Sequence, residues 1–113
     1  MPLLTQQQFL DELKKVEFKT FPNISGRGTI TGEGLSPKNA YKYTRVNAHT
    51  SFPFELNYAT YEYFYGKSGI KASDVAIRLG TYKDYKNFWM ALMVTMSLAK
   101  VTIVRPATID MQF

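Results

Sequence analysis

At 113 residues the chain has ordinary single-domain length, and 45% hydrophobic with 20% charged residues excludes disorder and supplies a core without staples. The absence of cysteine excludes disulfides, thiolate metal sites and cysteine nucleophiles. Fourteen Lys and Arg against nine Asp and Glu give a net charge of +5, which favours polyanionic partners over acidic ones.

In chain order, Thr5 to Phe18 reads as a helix. Thr5 and Gln8 stand at capping-box spacing, and Phe9, Leu10, Leu13 and Val16 recur with helical period. Pro22 ends it. From Asn23 to Ala40 the chain is glycine-rich, with an irregular strand or loop around Thr29 to Thr31 and a turn at 35–39. Tyr41 to Ala48 alternates as a strand, placing Tyr41, Tyr43 and Arg45 on one face and Lys42 on the other.

Ser51 to Tyr65 is the most aromatic stretch and admits two readings. As a strand it sets Phe52, Phe54, Leu56 and Tyr58 inward, with Tyr61, Tyr63 and Tyr65 together on the opposite face. As a helix it makes a stripe of Phe54, Tyr58, Tyr61 and Tyr65. Aromatic and threonine content favours the strand for the second half. A turn follows at Gly66 to Gly69.

Asp74 to Tyr82 alternates again, with Val75, Ile77 and Leu79 on one side and Arg78 and Tyr82 on the other. Asp84 is the expected N-cap of a helix reaching about Lys100, apolar nearly all round. Val101 to Val104 is a last strand before Pro106. The expectation is one α+β domain over 1–113, with one mostly antiparallel sheet of four or five strands, an N-terminal helix and a buried apolar C-terminal helix.

The N-terminus lacks a basic region followed by an apolar stretch, and the apolar run Phe88 to Ala99 is too short to span a bilayer. No membrane association and a cytoplasmic location are expected.

The functional signal is the interleaving of aromatic and basic residues. Tyr41, Tyr43, Tyr61 and Tyr63 are candidates to stack on bases, each contact being worth about 1–3 kcal/mol, with Tyr82 beside them. Arg27, Lys42, Arg45, Lys67 and Arg78 are candidates to meet phosphates. The expected activity is non-catalytic binding of nucleic acid, single-stranded favoured, with little sequence preference and scope for homo-oligomers.

A protein-binding module, such as an inhibitor, adaptor or subunit of viral or phage type, is the alternative. It uses the same tyrosines and the methionines Met90, Met93, Met96 and Met111 as an adaptable interface. A third reading takes Lys71 to Met93 as a helix-turn-helix that brings Lys83, Lys86 and Asn87 to the major groove.

The glycine segment around Arg27 lacks the Gly-Lys-Ser/Thr of a nucleotide-binding loop. His49 is the sole histidine, there is no nucleophile elbow, and the acids are scattered, so no catalytic residue, metal or cofactor is expected. Ile109-Asp110-Met111-Gln112-Phe113 resembles the acidic, phenylalanine-ended tail of bacterial and phage single-stranded-DNA-binding proteins. That implies a protein-docking role for Asp110 to Phe113. A single aspartate stands where that family has several, and the resemblance covers these five residues alone.

Overall fold

The structure, a computed structural model, describes residues 2–16, 19–24, 29–35, 40–45 and 48–111, with 32–50 described by backbone. Its elements are α1 (Gln6–Lys14), β1 (Thr20–Pro22), β2 (Thr29–Leu35), β3 (Ala40–Arg45), β4 (Ala48–Pro53), α2 (Phe54–Phe64), β5 (Ile70–Lys71), α3 (Ala72–Leu79), a 3-10 turn (Gly80–Tyr85), α4 (Lys86–Thr95), β6 (Lys100–Ile103) and β7 (Thr108–Asp110). The class is α+β. In place of the single expected sheet there are two antiparallel ones, a four-stranded β1-β2-β3-β4 meander and a three-stranded sheet ordered β5-β7-β6.

The first helix starts where its capping signals stand. The Thr5 hydroxyl accepts the Gln8 N–H at 3.2 Å, and the Gln8 side chain accepts the Thr5 N–H at 2.9 Å. Two amides left without helical partners are thereby satisfied. Phe9 and Leu13 face inward. The glycine segment becomes β2, whose pairing with β3 shifts register between Gly32 and Gly34.

Two expected strands are helices. Residues 54–64 form α2 because the helical stripe finds a partner. Phe9 of α1 sits 6.0 Å from Phe54, 5.4 Å from Tyr58 and 5.1 Å from Tyr61 between ring centroids. That packing overrides the strand propensity of tyrosine, which is itself largely a packing preference. Tyr63 is consequently parted from Tyr61 and Tyr65: Tyr61 is buried, Tyr65 is half-buried with its ring 6.1 Å from that of Tyr61, and Tyr63 is exposed.

Residues 72–79 form α3 because Ala72, Val75, Ala76 and Leu79 recur at helical spacing, burying Val75 and Leu79. Ile77, expected on one strand face with Val75 and Leu79, is left 82% exposed. Gly80, with φ +59°, ends the helix in a conformation costly to other residues. Asp84 lies inside the following 3-10 turn and caps nothing; α4 begins at Lys86, with Tyr85 in the cap position and no side-chain cap bond.

Helix α4 is the centre of the molecule, with Phe88 to Met93 all buried. Phe88 reaches the first sheet, 6.4 Å from Phe21 and 6.0 Å from Phe52, and Trp89 lies 5.7 Å from Phe64 of α2. The helix stops at Thr95, short of the expected Lys100. Ser97 turns into the left-handed region at φ 60°, and the N–H groups of Ser97 and Leu98 donate to Val94 and Met93. This is a Schellman ending built on serine rather than glycine. Met90, Met93, Met96 and Met111 are all buried, so the methionine-rich interface considered above is core. Among the described residues no helix is long and apolar enough to cross a membrane.

Candidate functional site

The clearest gathering of functional side chains lies where the end of α2 meets α3. Tyr63 occupies the last turn of α2 on its outer side and is 46% exposed. Lys67 follows four residues later, just past the helix end, and Arg78 comes from the last turn of α3. The Lys67 ammonium lies 3.9 Å from the centroid of the Tyr63 ring and the Arg78 guanidinium carbon lies 4.4 Å from it. Both are within cation–π reach, a contact worth about 0.5–1 kcal/mol at an exposed site.

The backbone beneath these groups is fixed by the C-terminal strand. The Lys67 N–H donates to Phe64, and the Lys67 carbonyl accepts the Met111 N–H at 2.8 Å. The Met111 carbonyl in turn accepts the Gly66 N–H at 3.1 Å. Gly69, at φ +66°, donates its N–H to the Asp110 carboxylate at 2.8 Å. Asp110 and Met111 are therefore built into the fold, and Gln112 and Phe113 of the expected docking tail lie outside the described residues.

Together these groups border an open groove of about 490 Å³ lined by Tyr63, Lys67, Ser68, Gly69, Ile77 and Arg78. Asp74 also reaches it, but its carboxylate accepts the Lys71 N–H at 3.0 Å at the start of α3. Two cations against one hydrogen-bonded carboxylate leave the groove positive. An aromatic ring flanked by cations suits a ligand that pairs a flat group with an anion.

The other expected site residues are dispersed. Tyr61 is a core residue: its ring stacks on Phe9 and its hydroxyl accepts the Leu4 N–H at 2.9 Å. Burial is the main reason its pKa stands above the usual 10.0; the Leu4 N–H acts the other way, and Tyr65 and Tyr58 add to the rise. Tyr58, also raised by burial and then by Glu62, donates to the Leu4 carbonyl at 2.7 Å. Tyr82 is half-buried against Phe52 and Tyr85.

Tyr41, Lys42, Tyr43 and Arg45 lie on β3, in the interior of the four-stranded sheet. There Tyr41 is paired with Phe52, and Arg45 with Ile30 and Ala48. Phe52 and Ile30 are themselves buried. Arg27 lies outside the described residues.

The helix-turn-helix reading has the right segment in helices, since α3, the 3-10 turn and α4 follow one another. Its second helix is buried from Phe88 to Met93 and offers no free face to a groove. Among the described residues, no three His, Asp or Glu side chains gather as a metal site. Strand alternation pairs neither Tyr63 with Arg78 nor Ile77 with the groove, because the period of both segments is helical. Set beside family models, curated proteins and solved structures, the chain matches none.

Proposed function

We propose that the protein is a non-catalytic nucleic-acid-binding protein that takes single strands through the Tyr63 groove. The observation that carries this reading is two cations within 4.4 Å of one half-exposed tyrosine ring at the mouth of an open groove. A base stacks on Tyr63 as a cation leaves that face of the ring, and Lys67 and Arg78 then meet the phosphates on either side of it. The net charge of +5 supports the same class of partner by drawing it towards the surface. A single groove offers one nucleotide a site. Tyr43 and Arg45 of β3, Arg27 and a second copy of the chain are the candidates to lengthen the track in the cytoplasm.

The test is fluorescence anisotropy with labelled single- and double-stranded oligonucleotides, repeated across salt. Single-strand affinity falls linearly on a log–log salt plot, and Lys67→Ala with Arg78→Ala lowers that slope by about two. Tyr63→Ala weakens binding at least about fivefold, the lower bound for one stacking contact. Tyr43→Ala combined with Tyr63→Ala weakens it at least about tenfold. Failure of any oligonucleotide to bind at low salt rejects the proposal.

One observation favours a second reading, protein binding at the same groove: Ile77 is 82% exposed beside a tyrosine and an arginine. Those are the residue types that anchor protein interfaces. Ile77→Ser separates the two readings, because it leaves phosphate-dominated binding nearly unchanged and removes an apolar anchor from a protein interface.

A further inference from the structure

The Tyr63 groove holds one group that phosphate binding does not explain. Asp74 of α3 lines it together with Tyr63, Lys67 and Arg78. A carboxylate repels phosphate, so it lowers the affinity of a groove that works by charge alone. The fold nevertheless fixes it there: its Oδ2 accepts the Lys71 N–H at 3.0 Å at the start of α3. Among the described residues no ion pair joins Asp74 to Arg78, although the two stand four residues apart on one face of the helix. The Arg78 guanidinium lies over the Tyr63 ring instead, 4.4 Å from its centroid.

An ionised carboxylate accepts hydrogen bonds and gives none, so it selects a ligand by its donors. It has about four lone-pair sites, of which the Lys71 N–H takes one. On the pairing edges of the bases, guanine alone sets two donors side by side, its ring N1–H and its exocyclic amine. Adenine and cytosine set one amine beside an unprotonated ring nitrogen, and thymine or uracil sets one N–H between two carbonyls. Those acceptors would face the second carboxylate oxygen and repel it. Guanine is therefore the base whose edge a carboxylate can hold with both oxygens, in a charge-assisted pair.

We propose that the groove reads guanine: the base stacked on Tyr63 gives its N1–H and amine to Asp74 while Lys67 and Arg78 take the flanking phosphates. Helix α3 carries the acceptor and the cation one turn, about 5.4 Å, apart, so one element spaces the base edge from the backbone. This inference rests on the nucleic-acid reading of the groove and adds to it the identity of one base.

The probes are DNA trinucleotides with thymine at both ends and guanine, hypoxanthine, adenine, cytosine or thymine in the middle. Each is titrated at low salt into the full chain, and binding is followed by amide chemical shifts. The guanine strand is expected to bind at least about fivefold more tightly than the adenine, cytosine and thymine strands, the lower bound for a bidentate base contact. Hypoxanthine, which keeps the N1–H and lacks the amine, falls between. Asp74→Asn keeps an oxygen for the Lys71 N–H, so α3 retains its cap, but it turns the other acceptor into a donor. It is expected to remove the preference and, by deleting a negative charge, to strengthen binding of the all-thymine strand. Equal affinity for all the strands, or a guanine preference that survives in Asp74→Asn, overturns the inference and leaves the nucleic-acid reading in place. If no strand of any length binds at low salt, both fail together.

Discussion

The side chains of Tyr58 and Tyr61 hold one residue between them: the Tyr61 hydroxyl accepts the Leu4 N–H and the Tyr58 hydroxyl donates a hydrogen bond to the Leu4 carbonyl. Both phenols have pKa values raised above 10.0, chiefly by burial. A group whose pKa is higher folded than unfolded stabilises the fold below its unfolded pKa and loses that stabilisation as pH rises through the folded one. Thermal melts are thus expected to be insensitive to these two groups below about pH 10 and to drop above it, less steeply in Tyr61→Phe.

Asn57 poses the opposite problem. It is fully buried, neither of its side-chain polar atoms has a hydrogen-bond partner among the described residues, and its backbone carbonyl accepts from Trp89 Nε1 at 3.4 Å. An unsatisfied buried amide costs about 1–3 kcal/mol, so Asn57→Leu, of the same branched shape though larger, is expected to raise stability by up to about that amount in urea unfolding. A destabilised variant would show that the amide has a bonding role.

Among the elements, α4 shows both what sequence resolves and what it does not. Its apolar circumference was legible because an apolar run longer than a buried strand reads as a helix enclosed on every side. Its ends were not legible. Asp84 looks like a cap by composition, yet the chain spends Gly80 to Tyr85 in a 3-10 turn before α4 starts. Ser97 ends α4 with no glycine to announce it. A serine held at φ 60° bears a left-handed cost of about 1–2 kcal/mol, so Ser97→Gly is expected to stabilise the protein by up to about 1 kcal/mol after the added unfolded-state entropy. Differential scanning calorimetry reads that change, and a lowered melting temperature would contradict the cap assignment.

Helices α2 and α3 resemble strands in sequence for a related reason. Alternation and helical spacing coexist in short aromatic or β-branched runs, and only the partner surface decides between them. For α2 that surface is Phe9; for α3 it is the core that receives Val75 and Leu79. The candidate site inherited the error. Of the ten residues nominated from sequence, Tyr63, Lys67 and Arg78 converge, because a helix rather than a strand carries Arg78 to Tyr63.

At the scale of the whole molecule, two small sheets and the surrounding helices share one core, and α4 is the element packed against both the first sheet and α2. Four of the five methionines are enclosed there: Met90 and Met93 completely, Met96 and Met111 nearly so. A thioether is oxidised to the sulfoxide only when peroxide reaches its sulfur, and the product is too polar for the core it came from. At these four positions oxidation therefore waits for the structure to open, and each reports the opening that exposes it. Met90 and Met93 are expected to oxidise slowly and together, at the pace of global unfolding. Met111, at the end of the last strand, is expected to oxidise earlier. Peptide mass mapping over a peroxide time course would show that order, and oxidation of Met90 at the rate of a free methionine would mean α4 is not enclosed. Once oxidised at Met90 or Met93, a molecule could not refold around the same helix, so damage at these two positions would be cumulative and confined to chains that have already unfolded once.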